Sequence, residues 1–249
     1  MANQYFVFRE LPELDETFEI TDKSAVHHIF TVMRAQENDE LRLVFDGGKI
    51  GLCQVVSNEL HTVKLLSNLT ENTELPAEIT IAVGFPKGDK LDFITEKSTE
   101  LGARQIWAAP FKWSVAKWDS KKLAKKAEKL SKIALGAAEQ SRRLVIPEVQ
   151  LFEKLSNLTD RFSEFDHVLI AYEESAKSGE TSELMRTLAK NPSKILLIFG
   201  PEGGISPEEI EKFEQLGAIS IGLGPRILRA ETAPLYALSA ISSYYDLMN

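Results

Sequence analysis

The sequence predicts an α/β protein, with a small β-barrel domain over residues 1–72 and a domain built on a mainly parallel sheet over residues 73–249. Three observations lead to this prediction. Short β-like runs joined by tight turns fill the first part of the chain. Strand and helix patterns alternate in the second part. Two glycine-bearing loops near the carboxyl end each follow an apolar run, which places both at the carboxyl edge of one sheet, where open α/β sheets bind ligands.

The first domain is predicted to be mostly β-structure. Its β-like runs lie at residues 5–8, 41–45, 50–56 and 62–66, and one helix interrupts them at about 24–35. The turns Asp46-Gly47-Gly48 and Ser57-Asn58 suit β-hairpins. Residues 68–76 are polar and end in a proline, which predicts a linker to the second domain.

The second domain is predicted to alternate strands with helices. The strands lie at residues 79–83, 106–109, 167–171, 195–199 and 219–222, and the helices at 89–101, 121–138, 181–188 and 207–216. The apolar continuity of residues 195–199 is typical of a strand buried on both faces. The alternation therefore predicts a mainly parallel sheet covered by helices on both faces.

The first glycine loop, Gly200-Pro201-Glu202-Gly203-Gly204, narrows the class of ligand. Ser206 after it is an N-cap with Pro207 at the first helical position and Glu209 completing a capping box, and Gly217 marks the helix end. A phosphate would meet like charges from the glutamates in the loop and in the first helical turn. The spacing also matches neither G-x-G-x-x-G nor G-x-x-x-x-G-K-[ST]. The loop therefore favours a neutral or cationic ligand, and S-adenosylmethionine, an adenosine joined to a sulfonium without phosphates, fits this description.

The second loop, residues 222–233, follows a short predicted strand and leads into another helix. Thr232 is a candidate N-cap, and Pro234 falls in the first turn, where proline is tolerated. Arg226 and Arg229 lie in this otherwise apolar loop. One interpretation is that both are solvated or pair with Glu231. Because Arg229 lies beside a glycine-lined pocket, we favour a contact between Arg229 and the substrate.

These motifs carry a resemblance to a known family. Phe199-Gly200-Pro201-Glu202-Gly203-Gly204 and residues 223–233 resemble the cofactor motifs of the RsmE family, SPOUT-class methyltransferases that modify N3 of a uridine in 16S ribosomal RNA. Three further blocks are similar to those of the family: Lys87-Gly88-Asp89-Lys90 with Lys97 and Glu100-Leu101-Gly102, Ala138-Glu139-Gln140-Ser141 with Arg143, and His27-His28 with Val32-Met33-Arg34. The resemblance covers essentially the whole chain.

The resemblance implies a carboxy-terminal SPOUT-type parallel sheet with a trefoil knot and a PUA-like, RNA-binding β-barrel at the amino terminus. It also implies a homodimer, S-adenosyl-L-methionine as cofactor, and the small ribosomal subunit as partner. The residues expected to line the cofactor site are Leu197, Phe199, Gly200, Gly203, Gly204, Ile221, Leu223, Gly224, Leu228, Thr232 and Ala233.

The catalytic residues are expected among the charged groups of the two loops. Uracil N3 becomes a good nucleophile only as its proton leaves, and an arginine near the uracil oxygens stabilises the developing anion. We assign this role to Arg229. Glu202 and Glu231 are the nearest candidates for the proton acceptor, although Glu231 has an alternative role in orienting an arginine or the loop.

The charge distribution indicates where RNA binds. The net charge is −8, yet residues 76–150 hold 14 Lys and Arg against 9 Asp and Glu, and eight lysines lie between Lys112 and Lys132. This run is either a solvated helix face or, beside a methyltransferase site, a phosphate-binding surface. The residues expected to bind RNA are His28, Arg34, Lys87, Lys90, Lys97, Trp113, Lys117 and Arg143. Trp113 stands where the family usually has an arginine, and it either stacks on a base or packs.

Composition excludes some other classes of protein. No apolar stretch has the length of a membrane span, and the one cysteine, Cys53, excludes an internal disulfide, so a soluble cytoplasmic protein is expected. No cluster of residues has metal-ligand spacing, so no metal is expected. Two alternatives stay open: a SPOUT enzyme that methylates another RNA position such as a ribose 2′-oxygen, and a non-catalytic RNA-binding protein.

Overall fold

The computed structural model of the protein describes residues 3–173 and 182–248. These residues divide into two compact units, one with residues 3–74 and 138–145 and the other with residues 75–137 and 146–248. Hydrogen bonds hold the segment 138–145 in the first unit: the Gln4 side chain donates to the Arg143 carbonyl at 2.6 Å, and the Thr73 hydroxyl donates to the Arg142 carbonyl at 2.7 Å.

The first unit contains one five-stranded sheet with the order β1-β3-β4-β5-β2. The strands are β1 Gln4–Phe6, β2 Thr17–Glu19, β3 Glu40–Val44, β4 Ile50–Ser57 and β5 Thr62–Leu69. The two predicted hairpins are confirmed, because β3–β4 and β4–β5 pair antiparallel across the predicted turns. The helix α1, Lys23–Val26, continues as a π-helical segment over His27–Val32. The core of this unit is apolar and includes Tyr5, Ile29, Leu43 and Leu65.

The second unit contains a six-stranded sheet with the order β11-β9-β10-β6-β7-β8, in which every pairing is parallel. The strands are β6 Glu78–Gly84, β7 Gln105–Ala109, β8 Glu148–Leu151, β9 His167–Ala171, β10 Lys194–Phe199 and β11 Ile219–Ile221. The helices are α2 Lys90–Glu100, α3 Ser120–Gln140, α4 Leu155–Thr159, α5 Glu183–Leu188, α6 Pro207–Gln215 and α7 Thr232–Ser242. The predicted parallel sheet is therefore confirmed.

The centre of this sheet is buried on both faces, as the apolar run 195–199 predicts. Alternate residues of β10 enter two separate apolar cores, with Ile195, Leu197 and Phe199 in one and Leu196 and Ile198 in the other. Helices α2, α3, α5 and α7 contribute to the first core, and α4 and α6 to the second. This burial fixes the strand ends, and with them the loops that follow.

The starts of two helices decide how the loops leave the sheet. Helix α6 begins with the predicted capping box, since the Ser206 hydroxyl accepts the Glu209 N–H and the Glu209 carboxylate accepts the Ser206 N–H. The predicted N-cap of α7 is one residue off: Thr232 is the first helical residue, and the N-cap is Glu231, which makes no side-chain capping bond. The Arg229 carbonyl accepts the N–H groups of Thr232 and Ala233 and so starts the helix.

Two structural features are absent from residues 3–173 and 182–248. No helix in these ranges is both long enough and apolar enough to cross a membrane. The same residues contain no group of three or more His, Cys, Asp or Glu side chains able to hold a metal ion.

Candidate functional site

A large pocket lies at the carboxyl edge of the parallel sheet, where the two glycine loops were expected to meet a ligand. Its volume is about 980 Å³, within the usual range for small-molecule sites. The loops after β10 and β11 form two of its walls. These two strands are not neighbours, because β9 lies between them. The pocket therefore opens across the end of β9.

Most of the residues expected to hold a cofactor line this pocket. They are Phe199, Gly200, Gly203, Gly204, Leu223, Gly224, Leu228 and Ala233. Leu197 and Ile221 do not line it, because both side chains are 1% exposed and belong to the apolar core beneath the sheet edge. Thr232 also does not line it and is exposed at the start of α7.

Some pocket residues are not among those predicted from the sequence. Ala171, Tyr172 and Glu173, at the end of β9, line the pocket between the two glycine loops. The Tyr172 N–H donates to the Ile221 carbonyl at 3.0 Å, which ties this segment to the end of β11. The sequence feature that could have identified them is the predicted strand 167–171, since all strands of a parallel sheet end at the same edge. The order of the strands, which places β9 in the middle, cannot be read from hydrophobic patterns.

Two glycines of the first loop are required by close packing. A Cβ on Gly203 would lie 2.9 Å from Cβ and 3.1 Å from the carbonyl oxygen of Trp113. A Cβ on Gly200 would lie 2.8 Å from the carbonyl carbon of Gly204 and 2.8 Å from the Ile205 side chain. The three carbon–carbon distances among these, 2.9, 2.8 and 2.8 Å, are all well below an ordinary carbon contact. The loop therefore folds tightly on itself, and Trp113 packs against it and lines the pocket.

One carboxylate holds the first loop to its neighbour. Besides closing the capping box, Glu209 accepts the Lys112 N–H at 2.7 Å through its other oxygen. Glu209 is 9% exposed, so this pair of hydrogen bonds is largely shielded from water. It fixes the segment around Trp113 relative to the loop that Trp113 contacts.

A lysine between two glutamates bridges the two glycine loops. The Lys90 ammonium, at the first residue of α2, lies 3.0 Å from a carboxylate oxygen of Glu202 in the first loop and 2.9 Å from one of Glu231 in the second. The Lys87 N–H also donates to Glu202 at 3.0 Å. The sequence predicts an RNA contact for Lys90, but in the structure its ammonium pairs with Glu202 and Glu231 at the pocket wall.

This cluster shifts the pKa of each member. The hydrogen bonds that the Lys90 ammonium donates to Glu231 and Glu202 raise its pKa. The Lys90 hydrogen bond lowers the pKa of the Glu231 carboxyl. Burial alone raises the pKa of the Glu202 carboxyl, but the hydrogen bonds from Lys87 and Lys90 outweigh it, and the pKa is lowered. Both carboxylates are therefore ionised and weakly basic at neutral pH.

Two arginines project from the second loop at the pocket. Arg226 and Arg229 both line it and are both exposed. Neither guanidinium forms an ion pair with a carboxylate among residues 3–173 and 182–248. The pocket thus combines two carboxylates that share one lysine with two arginines that form no ion pair in the described part of the chain.

The other residues expected to bind RNA lie in several places. In the first unit, His28 and Arg34 are exposed, and the His28 ring centroid lies 5.6 Å from that of Tyr5. In the second unit, Lys87 and Lys117 line a smaller pocket. Lys97 is on α2 and pairs with Glu96 and Glu100, each at 2.7 Å.

Arg143 does not fit the expected role. It is 2% exposed, and its guanidinium binds the Glu74 carboxylate through Nε and Nη2 at 2.9 and 2.5 Å. Glu74 also accepts the Leu144 N–H at 2.7 Å. The prediction of an RNA contact at Arg143 is therefore replaced by a structural role, in which a buried ion pair anchors the segment 138–145 to the end of β5 and the residues after it.

Comparisons with known proteins agree with this architecture. Residues 73–242 match the family model of an RNA methyltransferase domain, and residues 20–65 match that of an RNA methyltransferase PUA domain. The chain is 42% identical over 251 residues to ribosomal RNA small subunit methyltransferase E of Bacillus subtilis, covering 98% of each chain.

Two solved structures are similar over almost the full length. A putative methyltransferase from Legionella pneumophila, in complex with the bound cofactor SAM, is 29% identical with a TM-score of 0.84, and 98% of each chain is covered. Ribosomal RNA small subunit methyltransferase E from Neisseria gonorrhoeae, bound to S-adenosyl methionine, is 26% identical with a TM-score of 0.81 and the same coverage.

The parallel sheet with its glycine-lined pocket and the PUA-type first unit define the class of protein as an RNA methyltransferase. Identity across the whole length narrows the class further. The chain belongs to the ribosomal RNA small subunit methyltransferase E family.

Proposed function

We propose that this chain transfers a methyl group from S-adenosylmethionine to N3 of a uridine in the 16S ribosomal RNA of the small ribosomal subunit. The observation that carries the proposal is the pocket between the glycine loops, with its acidic cluster and its two arginines without carboxylate partners. The names and bound cofactor of the similar proteins support it.

The pocket residues fit S-adenosylmethionine. The pocket volume of about 980 Å³ suits an adenosine joined to a methionine. Glycines and the apolar side chains of Leu223 and Leu228 suit a flat, uncharged base, because the backbone comes close and no charge is desolvated. Glu202 at the pocket wall carries no repulsion towards a sulfonium, whereas it would repel a phosphate.

Arg229 is the residue we assign to the chemical step. The cofactor supplies an electrophilic methyl group, and the nucleophile is N3 of uracil after loss of its proton. The negative charge that develops on uracil spreads to the two carbonyl oxygens beside N3. A guanidinium that has no carboxylate partner in the described structure is available to donate hydrogen bonds to one of these oxygens, and such donors act most strongly on charge that develops in the transition state.

We propose a different role for Glu202 and Glu231 from that of proton acceptor, which the sequence suggested. A carboxylate with a lowered pKa is a weak base and is poorly matched to removing a proton from a weak acid. Their shared contact with Lys90 supports a role in joining the two loops and in shaping the pocket around the cofactor. We propose that they position the loops rather than accept the proton.

The remaining features of the proposal concern the whole molecule. We propose that the domain over residues 1–72 binds RNA and that the domain over residues 73–249 carries the trefoil knot and the cofactor. Exposed apolar side chains at Ile227, Tyr236, Leu247 and Met248 support a homodimer, because association of two copies could remove them from water. We also propose a cytoplasmic location, because the proposed substrate is ribosomal RNA.

Nucleoside mass spectrometry of ribosomal RNA from a deletion strain tests the proposal. Loss of 3-methyluridine, restored by the wild-type gene, is the expected result. Loss of a 2′-O-methyl nucleoside instead would assign the enzyme to another RNA position. Calorimetry that detects no S-adenosylmethionine binding would indicate a non-catalytic RNA-binding protein.

A variant at Arg229 tests the mechanism. We expect Arg229→Gln to lower kcat by roughly 10²–10³, the usual loss when one donor to a developing anion is removed, while the Kd for S-adenosylmethionine changes little. Arg226→Gln is the matched control, since it removes the same charge from the same pocket wall. If both variants keep a near-normal kcat, Arg229 has no part in the chemical step.

A further inference from the structure

A second concave site lies in the same unit, outside the pocket described above. Its volume is about 320 Å³. The wall residues come from the loop after β6, from the segment before α3 and from the first two turns of α3, and they include Lys87, Lys117, Trp118, Lys122 and Lys126. We call this site the lysine pocket. Four of its nine wall residues carry an ammonium group, and none carries a carboxylate.

The four ammonium groups are not neutralised by neighbouring side chains. Within residues 3–173 and 182–248, neither Lys87, Lys117, Lys122 nor Lys126 forms an ion pair. Further along α3, Lys129 and Lys132 do, with Asp92 and Glu128. Two acidic residues directly follow wall residues in the sequence: Asp119 accepts the Lys122 N–H at 2.8 Å and so caps the helix start, and Asp89, after Gly88, is exposed and does not line the pocket. The lysine pocket therefore concentrates positive charge in a chain whose net charge is −8.

The aromatic residue of the pocket is already engaged. Trp118 stacks on Phe85 with ring centroids 4.2 Å apart, and the Lys126 ammonium lies 4.4 Å from the Trp118 ring centroid. This cation–π contact holds the long Lys126 side chain in place over the ring. The pocket therefore offers a ligand its preorganised positive charge rather than a free aromatic face.

The lysine pocket is joined to the cofactor pocket through one residue. Lys87 lines the lysine pocket, and its backbone N–H donates to Glu202 in the wall of the cofactor pocket. Both pockets are built from loops that follow parallel strands, so both lie at the carboxyl edge of the sheet. A ligand that bridges them has one part at the reacting site and an anionic part a short distance away.

We propose that the lysine pocket binds a backbone phosphate of the substrate RNA, close to the nucleotide that enters the active site. This inference rests on the proposed function, and it adds Lys122 and Lys126 to the residues that contact RNA. Such a contact carries no sequence information but sets the register of the strand, as phosphate contacts generally do. It would hold the target uridine against the bound cofactor.

The test compares two double variants of one helix. Lys122→Gln with Lys126→Gln removes two charges from the pocket and keeps most of each side-chain stem. Lys121→Gln with Lys125→Gln removes two exposed charges of the same helix, with the same spacing, outside the pocket. Affinity is measured for 16S ribosomal RNA, both stripped of protein and within small ribosomal subunits, as a function of salt. S-adenosylmethionine affinity is measured by calorimetry for all proteins.

We expect the pocket variant to bind RNA roughly 4- to 6-fold more weakly at ~0.15 M salt and the salt slope to fall by ~0.7–0.9, the contribution of one phosphate contact. The control variant should change the affinity much less, and S-adenosylmethionine affinity should stay unchanged in both. Equal RNA affinities for the two variants would overturn the proposal, even if the protein methylates RNA normally. Absence of RNA binding and methylation by the wild type would instead refute the proposed function.

A further variant covers the case in which the pocket variant fails to fold. If it loses S-adenosylmethionine affinity, Lys117→Gln is used, because this side chain is exposed and makes no ion pair within the described residues. A several-fold loss of RNA affinity with a lower salt slope supports the proposal, and an unchanged slope overturns it.

Discussion

The bridge between Lys90 and the two glycine-loop carboxylates gives the sharpest test of how the pocket is held together. Lys90→Met removes the ammonium and keeps a stem of similar length. Two contacts, at 3.0 and 2.9 Å, disappear together. Without the lysine, Glu202 and Glu231 face one another, and the two loops are no longer joined by a common partner.

The magnitude follows from the exposure of the three side chains. They are 31%, 25% and 18% exposed, so each ion pair is partly screened and is worth ~0.5–1 kcal/mol. The two carboxylate oxygens lie at most about 6 Å apart, and their unscreened repulsion reaches ~3 kcal/mol at an effective dielectric constant of ~20. Relaxation of the loops relieves much of this repulsion. We therefore expect a loss of ~1–2 kcal/mol in cofactor affinity, or roughly 5- to 30-fold.

The assay separates positioning from simple charge. Calorimetry with S-adenosylmethionine, which is cationic, and with S-adenosylhomocysteine, which lacks the sulfonium charge, should show both affinities falling by a similar factor if Lys90 positions the loops. A purely electrostatic role would instead strengthen binding of the cation relative to the neutral ligand. Lys97→Met is the matched control, because Lys97 is on the same helix, is 35% exposed and also pairs with two glutamates, away from the pocket. If Lys90→Met binds both ligands as tightly as Lys97→Met, the bridge does not shape the pocket.

The same variant has a defined pH dependence. In the wild type the pKa of both carboxyls is lowered, so their contribution to stability is present above the ordinary pKa of about 4.3 and is lost as pH falls through the lowered values. Lys90→Met lacks this contribution. The difference in unfolding free energy between the wild type and the variant should therefore shrink as pH falls below about 4.

Three further predictions concern other parts of the molecule. Gly203→Ala should destabilise the protein by ~1–3 kcal/mol in urea unfolding, because the added Cβ collides with Trp113. The control Gly136→Ala, which has open space in helix α3, should stabilise the protein by ~0.5–1 kcal/mol. Equal effects of the two variants would contradict the close packing at Gly203. Arg143→Leu should lower the free energy of unfolding by ~3–5 kcal/mol, because it leaves the Glu74 carboxylate without its cationic partner. A loss of RNA affinity without a loss of stability would instead support the predicted RNA contact at Arg143. Burial raises the pKa of the Glu139 carboxyl to about 7, so the free energy of unfolding should decline by ~2 kcal/mol, after solvent screening, as pH rises from about 4.5 through 7. Glu139→Gln should remove this decline. Parallel pH profiles of stability in wild type and variant would refute the raised pKa of Glu139.

Much of the fold was predictable because the strongest signals are local. Strand β9 matches its predicted range of residues 167–171, and the capping box at Ser206 fixed the start of α6. The missed strands β2 and β8 lie at the edges of their sheets. The first has three residues with only Phe18 buried, and the second alternates polar and apolar residues without a buried one. A short edge strand lacks the apolar run by which a strand is recognised.

The positions of the two loops at the site could be predicted from the sequence, but the partners of the charged side chains could not. The glycines identify the two loops in the sequence, and most of the loop residues line the pocket. The partners of the charged side chains lie far away in sequence: Glu202 is 115 positions from Lys87, and Glu74 is 69 positions from Arg143. A motif shows that a charge is present, but only the fold shows whether another charge already satisfies it. For that reason Arg143 and Lys90 were assigned to RNA, and the structure gives them other partners.

The all-parallel sheet has a consequence for how the protein is made. Parallel strands are joined only by crossover connections, so their contacts span long stretches of chain and form slowly. The cofactor pocket takes its walls from residues between 90 and 233, on both sides of a strand that lies between the two loops. A nascent chain therefore has no pocket until nearly all of this unit has left the ribosome and folded. A ligand stabilises only the state that binds it, by ~2.7 kcal/mol at a hundred times its Kd. Cofactor binding would therefore stabilise completed, folded chains but not unfinished ones.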